Sequence, residues 1–109
     1  MNLNEYQKLA LRTASPKDKK NELFHLVLGL CGEAGEVAEK IKKIIRDKDS
    51  DFSQLDLDDL TKELGDVLWH IAVVGNYFDI PLDDIGAKNI EKLASRFERG
   101  SLGGSGDNR

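Results

Sequence analysis

Four carboxylates stand at matching spacings in two stretches of the sequence. Glu33 and Glu36 are three residues apart in LGLCGEAGEVAEK, and Glu63 and Asp66 are three residues apart in LTKELGDVLWH. Three residues are about one turn of an α-helix, so each pair shares one helix face. Oxygen ligands favour hard cations such as Mg²⁺ or Mn²⁺ over zinc, and protein-bound Mg²⁺ commonly contacts substrate phosphates. The pairs therefore predict a metal site for a phosphorylated substrate.

The apolar residues around both pairs recur at alternating spacings of four and three, which is typical of helices packed lengthwise. In the two helices concerned they are Leu23, Val27, Leu30, Ala34, Val37, Ile41 and Ile44, and Leu60, Leu64, Val67, Ile71, Val74 and Phe78. Each of the four acids precedes one of these apolar residues by one position. If the helices are antiparallel neighbours, both pairs therefore line the same cleft.

Two further helices complete the predicted fold. Residues 3–13 carry apolar residues at helical spacing, and Pro81 separates the third helix from a fourth. The apolar seam of that fourth helix is Gly86, Ile90, Leu93 and Phe97. The sequence therefore predicts an all-α, four-helix-bundle-like single domain over residues 1–99. Residues 100–109 are rich in Gly and Ser and are predicted to form a flexible tail.

Local signals mark where the helices begin. Ser15 and Asp18 resemble a capping box ahead of the second helix. Asp56 or Asp58 can cap the third helix, whose first turn is acidic. The loop Asp47–Asp49–Asp51 starts like a calcium loop, but Phe52 stands where that loop needs glycine. This stretch is interpreted as a solvated loop.

Composition limits the compartment and the partners. The chain has 109 residues and a formal charge of −4, from 16 basic and 20 acidic residues, which argues against a nucleic-acid polymer as partner. Cys31 has no intramolecular partner for a disulfide, which favours a reducing compartment. No apolar run approaches the roughly 20 residues of a membrane span, and the N-terminus lacks the apolar region of a signal peptide. A cytoplasmic domain without a membrane partner is predicted.

Glycines accompany the acids. Gly29, Gly32, Gly35 and Gly65 all fall inside predicted helices. Glycine costs about 1 kcal/mol in a helix interior relative to alanine. We therefore expect a ligand or a neighbouring backbone to approach closely at these positions.

Polar residues continue the acidic edge along the helices. Basic side chains there can hold phosphate groups, and Asn, His or Tyr can contact a sugar or a base. The candidate substrate-binding residues are His25, Lys43, Tyr77, Asn89, Lys92 and Arg96. Simpler interpretations stay open: Lys40 and Lys43 can pair with Glu36 and Glu39 on the same helix. His70 and Trp69 can be packing residues at the helix edge.

The motifs GLCGEAGEVAEKIKK and KELGDVLWHIA together resemble the MazG-like all-α nucleotide pyrophosphohydrolases, a superfamily that includes dCTP pyrophosphatases. The resemblance covers roughly residues 20–98. It implies Mg²⁺-dependent cleavage of (d)NTPs to (d)NMP and pyrophosphate, house-cleaning of the nucleotide pool, and a homodimer or homotetramer. The residues that match the family motif are Glu33, Glu36, Glu63 and Asp66 as metal ligands, and Asn89, Lys92 and Arg96 as substrate contacts.

One position departs from the family pattern. Many relatives carry a glutamate directly before the first acidic pair, where this chain has Gly32. The GEAGE form resembles the dCTP-pyrophosphatase-like and phage-type branches. Glu33 or Glu36 is therefore the candidate catalytic residue that orients the attacking water. Lys92 and Arg96, with Lys43, are expected to neutralise the leaving pyrophosphate.

Three alternatives remain at this point. A phosphoribosyl-ATP pyrophosphohydrolase would share the fold and the acids. A non-catalytic helical interaction module would keep the acids as surface charge only. A di-iron carboxylate bundle uses Glu-x-x-His on two helices, whereas His70 follows Asp66 by four residues.

Overall fold

The computed structural model describes residues 1–14 and 21–109. Within these ranges the chain forms four α-helices, two short 3₁₀ helices and no β-strand, so the all-α prediction is confirmed. The α-helices are α1 (Leu3–Ala10), α2 (Glu22–Asp47), α3 (Leu57–Tyr77) and α4 (Leu82–Glu98), and the 3₁₀ helices are Leu11–Thr13 and Phe52–Gln54. The predicted capping residues Ser15 and Asp18 lie outside the described residues.

Side-chain caps define two helix starts. Asn2 accepts a hydrogen bond from the Glu5 amide at 2.8 Å, and the Glu5 carboxylate accepts one from the Asn2 amide at 3.3 Å. This reciprocal capping box satisfies two backbone N–H groups that the helix itself leaves unpaired. At α3 the Asp56 carboxylate accepts from the Asp59 amide at 3.1 Å, so Asp56 is the cap.

Helices α2 and α3 form an antiparallel pair, which is the most extensive contact in the described chain. Facing residues show the direction: Gly29 lies against His70, and Lys40 lies beside Asp59. The connection turns at Asp49 and Ser50, whose φ angles are 52° and 59°. The predicted antiparallel arrangement of the two acidic helices is therefore present.

Helix α3 buries a second face against α1 and α4. Ala10, Ala72 and Leu82 are buried there, and Tyr6, Leu68, Trp69, Ile71 and Ile85 pack around them. The Trp69 indole N–H donates to the Ala10 carbonyl at 3.1 Å and to the Thr13 hydroxyl at 2.9 Å. Trp69 is therefore a packing residue that fixes the end of α1 on α3.

Gln7 joins three parts of this second face. Its Nε2 donates to the carbonyls of Ala72 and Ile80 at 3.0 and 3.1 Å, and its Oε1 accepts from the Leu82 amide at 3.0 Å. The turn between α3 and α4 closes over Gly75, where an added Cβ would lie 3.1 Å from the Ile80 carbonyl oxygen. One buried amide thus holds α1, the end of α3 and the start of α4 together.

The apolar seam predicted for α4 is not buried within one chain. Ile90 is 68% exposed and Phe97 is 73% exposed, whereas Leu82 and Arg96 are the buried residues of this helix. The reason is that α4 contacts α1 and α3 rather than lying along α2. Phe24 and Leu28 on α2 are also exposed.

The C-terminal residues 100–109 contain no helix. The Arg109 guanidinium donates to the carbonyls of Leu102, Gly103 and Gly106 at 3.0, 2.9 and 2.7 Å, which folds the segment into a compact turn. Flexibility of this segment stays a prediction.

Replacing Gln7 with alanine should lower the free energy of unfolding by about 2–3 kcal/mol, because buried backbone groups on two helices lose their partner. Urea unfolding followed by the fluorescence of Trp69 measures this change. The neighbouring exposed Lys8→Ala should unfold within about 0.5 kcal/mol of the wild type. Equal stability of the two variants would contradict the proposed role of Gln7.

Candidate functional site

Three of the four predicted acids come together where α2 faces α3. Among the described residues, Glu33, Glu63 and Asp66 each offer a carboxylate oxygen, and these oxygens lie within 4.8 Å of one another. Glu33 and Glu63 are half-buried, whereas Asp66 is exposed. Such an arrangement of oxygen ligands, open to solvent on one side, fits a hard divalent cation.

Glu36 lies one turn further along α2 and outside this three-carboxylate group. Its side chain is exposed. Its negative charge nevertheless contributes to raising the pKa of Glu63, so it belongs to the same electrostatic environment. The geometry separates the four predicted ligands into three converging carboxylates and one at the rim.

The surroundings of Glu63 disfavour its charged form. Burial is the main cause that raises the pKa of Glu63, and the negative charges of Glu36, Asp66 and Asp59 raise it further. The Lys40 ammonium opposes these effects. Converging carboxylates repel one another unless a proton or a cation neutralises them. A bound divalent cation would relieve this repulsion, so the donor set fits the metal that the sequence predicts.

Lys40 forms its ion pairs across the helix interface. Its Nζ lies 2.7 Å from an Asp59 oxygen and 4.0 Å from a Glu63 oxygen. The hydrogen bond to Asp59 is the main cause that raises the pKa of Lys40, while burial acts in the opposite direction. Lys40 therefore links α2 to α3. The sequence analysis left open an ion pair between Lys40 and Glu36 on the same helix, and the structure shows the pairs with α3 instead.

His70 closes the other end of the group. Its Nδ1 lies 2.9 Å from the Asp66 carbonyl oxygen; because a carbonyl only accepts, Nδ1 carries the proton. The ring packs edge-on to Trp69, with centroids 4.9 Å apart, and covers Gly29. An added Cβ at Gly29 would lie 2.8 Å from His70 Cδ2, so this glycine is required by the ring.

The remaining glycines have a different environment. Nothing in the described chain lies within 4 Å of an added Cβ at Gly32, Gly35 or Gly65. The expected close approach of a backbone therefore applies to none of these three within one chain, and Gly29 is approached by a side chain.

Tyr6 on α1 is a residue near the site that the sequence analysis missed. Burial raises its pKa, and the negative charge of Asp66 raises it further, which places the phenol near that acid. Helical periodicity assigns Tyr6 to the buried face of α1. The same periodicity does not show which face of α3 packs against α1.

Three other candidates lie along α2 and α3 at a distance from the acids. His25 precedes Glu33 by eight residues and Lys43 follows it by ten, about 12 and 15 Å along the helix axis. Tyr77 is at the end of α3 and packs edge-on to Phe78 with centroids 5.0 Å apart. Because the helices are antiparallel, His25 and Tyr77 mark one end of the cleft and Lys43 marks the other.

The candidates on α4 are not joined to the acids in one chain. The ion pairs that the structure shows for Lys92 and Arg96 go to Asp107, at 3.0 and 3.3 Å. Asn89 is exposed. Within the described residues, α4 therefore presents its cations to the C-terminal segment.

Most of the sequence matches a known protein family. Residues 22–100 match the MazG nucleotide pyrophosphohydrolase domain, so this chain belongs to that family. The predicted resemblance is confirmed.

Two curated relatives are similar to this chain. "Gene 37 protein" of Mycobacterium phage L5 is 49% identical over 92 residues, which cover 84% of this chain and 81% of that protein. "Uncharacterized protein YvdC" of Bacillus subtilis (strain 168) is 32% identical over 74 residues, which cover 63% of this chain and 70% of that protein. No solved structure matches the chain. In the part of the chain that the structure describes, no helix is both long and apolar enough to cross a membrane.

Gly29→Ala should lower the free energy of unfolding by about 1–3 kcal/mol, because the added methyl group overlaps the His70 ring. Gly65→Ala is the matched control on α3 and should raise it by about 0.5–1 kcal/mol, since nothing opposes the gain in helix propensity. Urea unfolding compares the two. Adding His70→Ala to the Gly29→Ala variant should remove the overlap and most of its cost, and failure of this rescue would rule out the overlap as the cause.

Mg²⁺ should raise the melting temperature, because a ligand that binds only the folded state stabilises it by about 2.7 kcal/mol at one hundred times its Kd. Glu63→Gln should abolish this shift while melting at or above the wild type without metal, since a half-buried charge beside other carboxylates is removed. Differential scanning fluorimetry measures both effects. Glu39→Gln, on α2 and outside the group, should keep the full Mg²⁺ shift; a shift retained by Glu63→Gln would exclude Glu63 as a ligand.

Proposed function

We propose that this protein is a Mg²⁺-dependent nucleoside triphosphate pyrophosphohydrolase. It cleaves (d)NTPs between the α and β phosphates and releases (d)NMP and pyrophosphate, as part of nucleotide-pool house-cleaning in the cytoplasm. The observation that carries the proposal is the convergence of Glu33, Glu63 and Asp66 in a chain that belongs to the MazG family. The substrate is a free nucleotide and not a nucleic-acid polymer.

In this proposal the three converging carboxylates would hold the metal. Glu36 adds a fourth carboxylate from the next turn of α2. Bound Mg²⁺, for which Mn²⁺ is a possible substitute, supplies polarisation of a phosphate and neutralisation of its charge. Lys40 keeps α2 and α3 in register beside the group through its contact with Asp59. His70 keeps the opposite end in register by packing over Gly29.

Glu36 is the better placed of the two candidate catalytic residues. Glu33 lies within the converging group, where it would serve as a metal ligand. The Glu36 carboxylate is exposed at the rim and outside that group. A carboxylate with free oxygens beside the metal can orient the attacking water and accept its proton. This assigns activation of the water to Glu36, in a chain that has Gly32 where many relatives carry a further glutamate.

The two ends of the cleft differ in chemistry. Lys43 lies toward one end, where a cation stabilises the charge that develops on the leaving pyrophosphate. His25 and Tyr77 lie toward the other end, where an imidazole and a phenol can contact the sugar or the base. A nucleotide whose α-phosphate sits at the acids therefore extends its phosphates toward Lys43 and its nucleoside toward Tyr77.

The phosphate contacts from α4 come from a second copy of the chain. Ile90 and Phe97 are 68% and 73% exposed, and these apolar side chains would be covered in a homodimer or homotetramer. Asn89, Lys92 and Arg96 lie one position before the exposed seam residues, so a helix docked through that seam presents them at the edge of the contact. Lys92 and Arg96 of one copy would then neutralise the phosphates bound to the acids of the other.

A panel of NTPs and dNTPs with Mg²⁺, together with phosphoribosyl-ATP, tests the reaction and its substrate. We expect pyrophosphate as the product, detected separately from orthophosphate. Asp66→Asn and Glu36→Gln should each lower kcat by at least about a hundredfold, the usual effect of losing a charged group that acts in the transition state. Circular dichroism should show unchanged helix content in both variants.

Glu39→Gln serves as the control in the same assay, because Glu39 is on α2 but outside the acidic group. It should keep the wild-type kcat. Release of orthophosphate would overturn cleavage between the α and β phosphates. Absence of both turnover and a Mg²⁺-induced melting shift would favour the non-catalytic interaction module.

A further inference from the structure

The C-terminal segment places a carboxylate on the two cations of α4. Asp107 Oδ1 lies 3.0 Å from Lys92 Nζ and 3.3 Å from Arg96 Nη2. Arg96 Nη2 also donates to the carbonyls of Asp107 and Gly106 at 2.7 and 3.4 Å. Both cations therefore face one anionic turn of their own chain.

Arg96 is a buried cation whose hydrogen-bond donors are only partly paired. Its side chain is 5% exposed, yet its Nε has no hydrogen-bond partner among the described residues. A guanidinium fork binds an oxyanion best through two parallel N–H groups. Asp107 engages Nη2 only, so an anion with more oxygens can satisfy a donor that Asp107 leaves unpaired.

The segment is shaped to hold Asp107 in this position. Gly100, with a φ of 68°, ends α4 and reverses the chain. Arg109 then donates to carbonyls of the turn, and the Arg99 guanidinium donates to the Arg109 carbonyl at 2.7 Å. Hydrogen bonds from Lys92 and Arg96 lower the pKa of Asp107 below its usual range, so the carboxylate is charged at neutral pH.

We propose that residues 100–109 are an autoinhibitory segment, in which the Asp107 carboxylate occupies the Lys92–Arg96 anion site until the phosphates of a nucleotide displace it. This inference rests on the proposed binding of phosphates by Lys92 and Arg96. The contact between Asp107 and these two cations is called the tail latch below.

The tail latch is weak enough to open during turnover. The Asp107 side chain is 82% exposed, and ion pairs at such positions contribute little because water and salt screen them. A polyphosphate carries several charges and more acceptor oxygens than one carboxylate. The latch therefore acts on substrate affinity: it reduces the fraction of molecules that can bind, and raises KM without changing kcat.

The kinetic test compares Asp107→Asn with wild type in the full chain, using the substrate that the panel identifies. KM should fall about two- to fivefold with kcat unchanged, which is the range expected when one exposed carboxylate loses its charge. Glu98→Gln is the control: it removes the same charge from the end of α4 without touching the latch, and should leave KM at the wild-type value. Equal KM values for all three proteins, or an equal fall in both variants, would overturn the proposal.

A second test does not depend on catalysis. Inorganic pyrophosphate is titrated into metal-free, ¹⁵N-labelled wild type at constant ionic strength, and the Gly106 and Asp107 amides are followed by NMR. We expect both amides to shift and their heteronuclear NOE to fall as the segment is released, while the Lys92 and Arg96 amides also shift.

The two proposals fail in different ways in this titration. Shifts at Lys92 and Arg96 with an unchanged tail would overturn the latch and leave phosphate binding in place. No shift at any of these amides would overturn both the phosphate role of the two cations and the latch. Absence of nucleotide hydrolysis together with release of the tail by pyrophosphate would overturn the proposed reaction and support the latch.

Discussion

The packing of α2 against α3 forces like charges together, and the rest of the site depends on this constraint. The two helices pack along each other, and Glu33 and Glu63 are half-buried at this contact. Leu64, the predicted seam residue that follows Glu63, is 51% exposed, so the acids lie closer to the interface than the predicted seam implied. Glu63 is therefore held at a half-buried position beside the negative charges of Glu36, Asp66 and Asp59. Lys40 relieves part of the repulsion through its contacts with Asp59 and Glu63, and the remaining negative charge makes the edge a place for a divalent cation.

Two polar contacts keep the framework behind this edge in register. Trp69 and Gln7 bind α1 to the face of α3 that points away from α2, through hydrogen bonds to the backbone carbonyls of Ala10 and Ala72. His70 supports the opposite face, where its ring rests on Gly29. The spacing of the acids is therefore set by helices that are held on two sides, which is the condition for a metal site with a defined geometry.

The two halves of helix α4 have different surroundings. Its buried start is attached to α1 and α3 through Gln7, whereas its second half exposes Ile90 and Phe97 and carries cations bound to Asp107. A bundle in which α4 lay along α2 would have covered those apolar residues internally. Because α4 lies elsewhere, Ile90 and Phe97 stay exposed, and Lys92 and Arg96 contact Asp107.

The sequence by itself determined the helices and narrowed the cap of α3 to Asp56 or Asp58, because these features depend on spacing and local hydrogen bonding; the Asn2 capping box of α1 was not predicted. The offset that Glu33, Glu36, Glu63 and Asp66 share predicts that all four converge, since a shared offset on antiparallel helices leads to a shared edge. Three of the four form the converging group. Only the tertiary structure decided that Glu36 stays at the rim, that Lys40 pairs with Asp59, and that Tyr6 lies near Asp66. It also decided that the α4 seam stays exposed and that Lys92 and Arg96 meet Asp107. These outcomes depend on which helix faces pack together. They also depend on which neighbours each long side chain contacts. Periodicity along one helix carries no information about the position of its partner, so such pairings appear only once the helices are assembled.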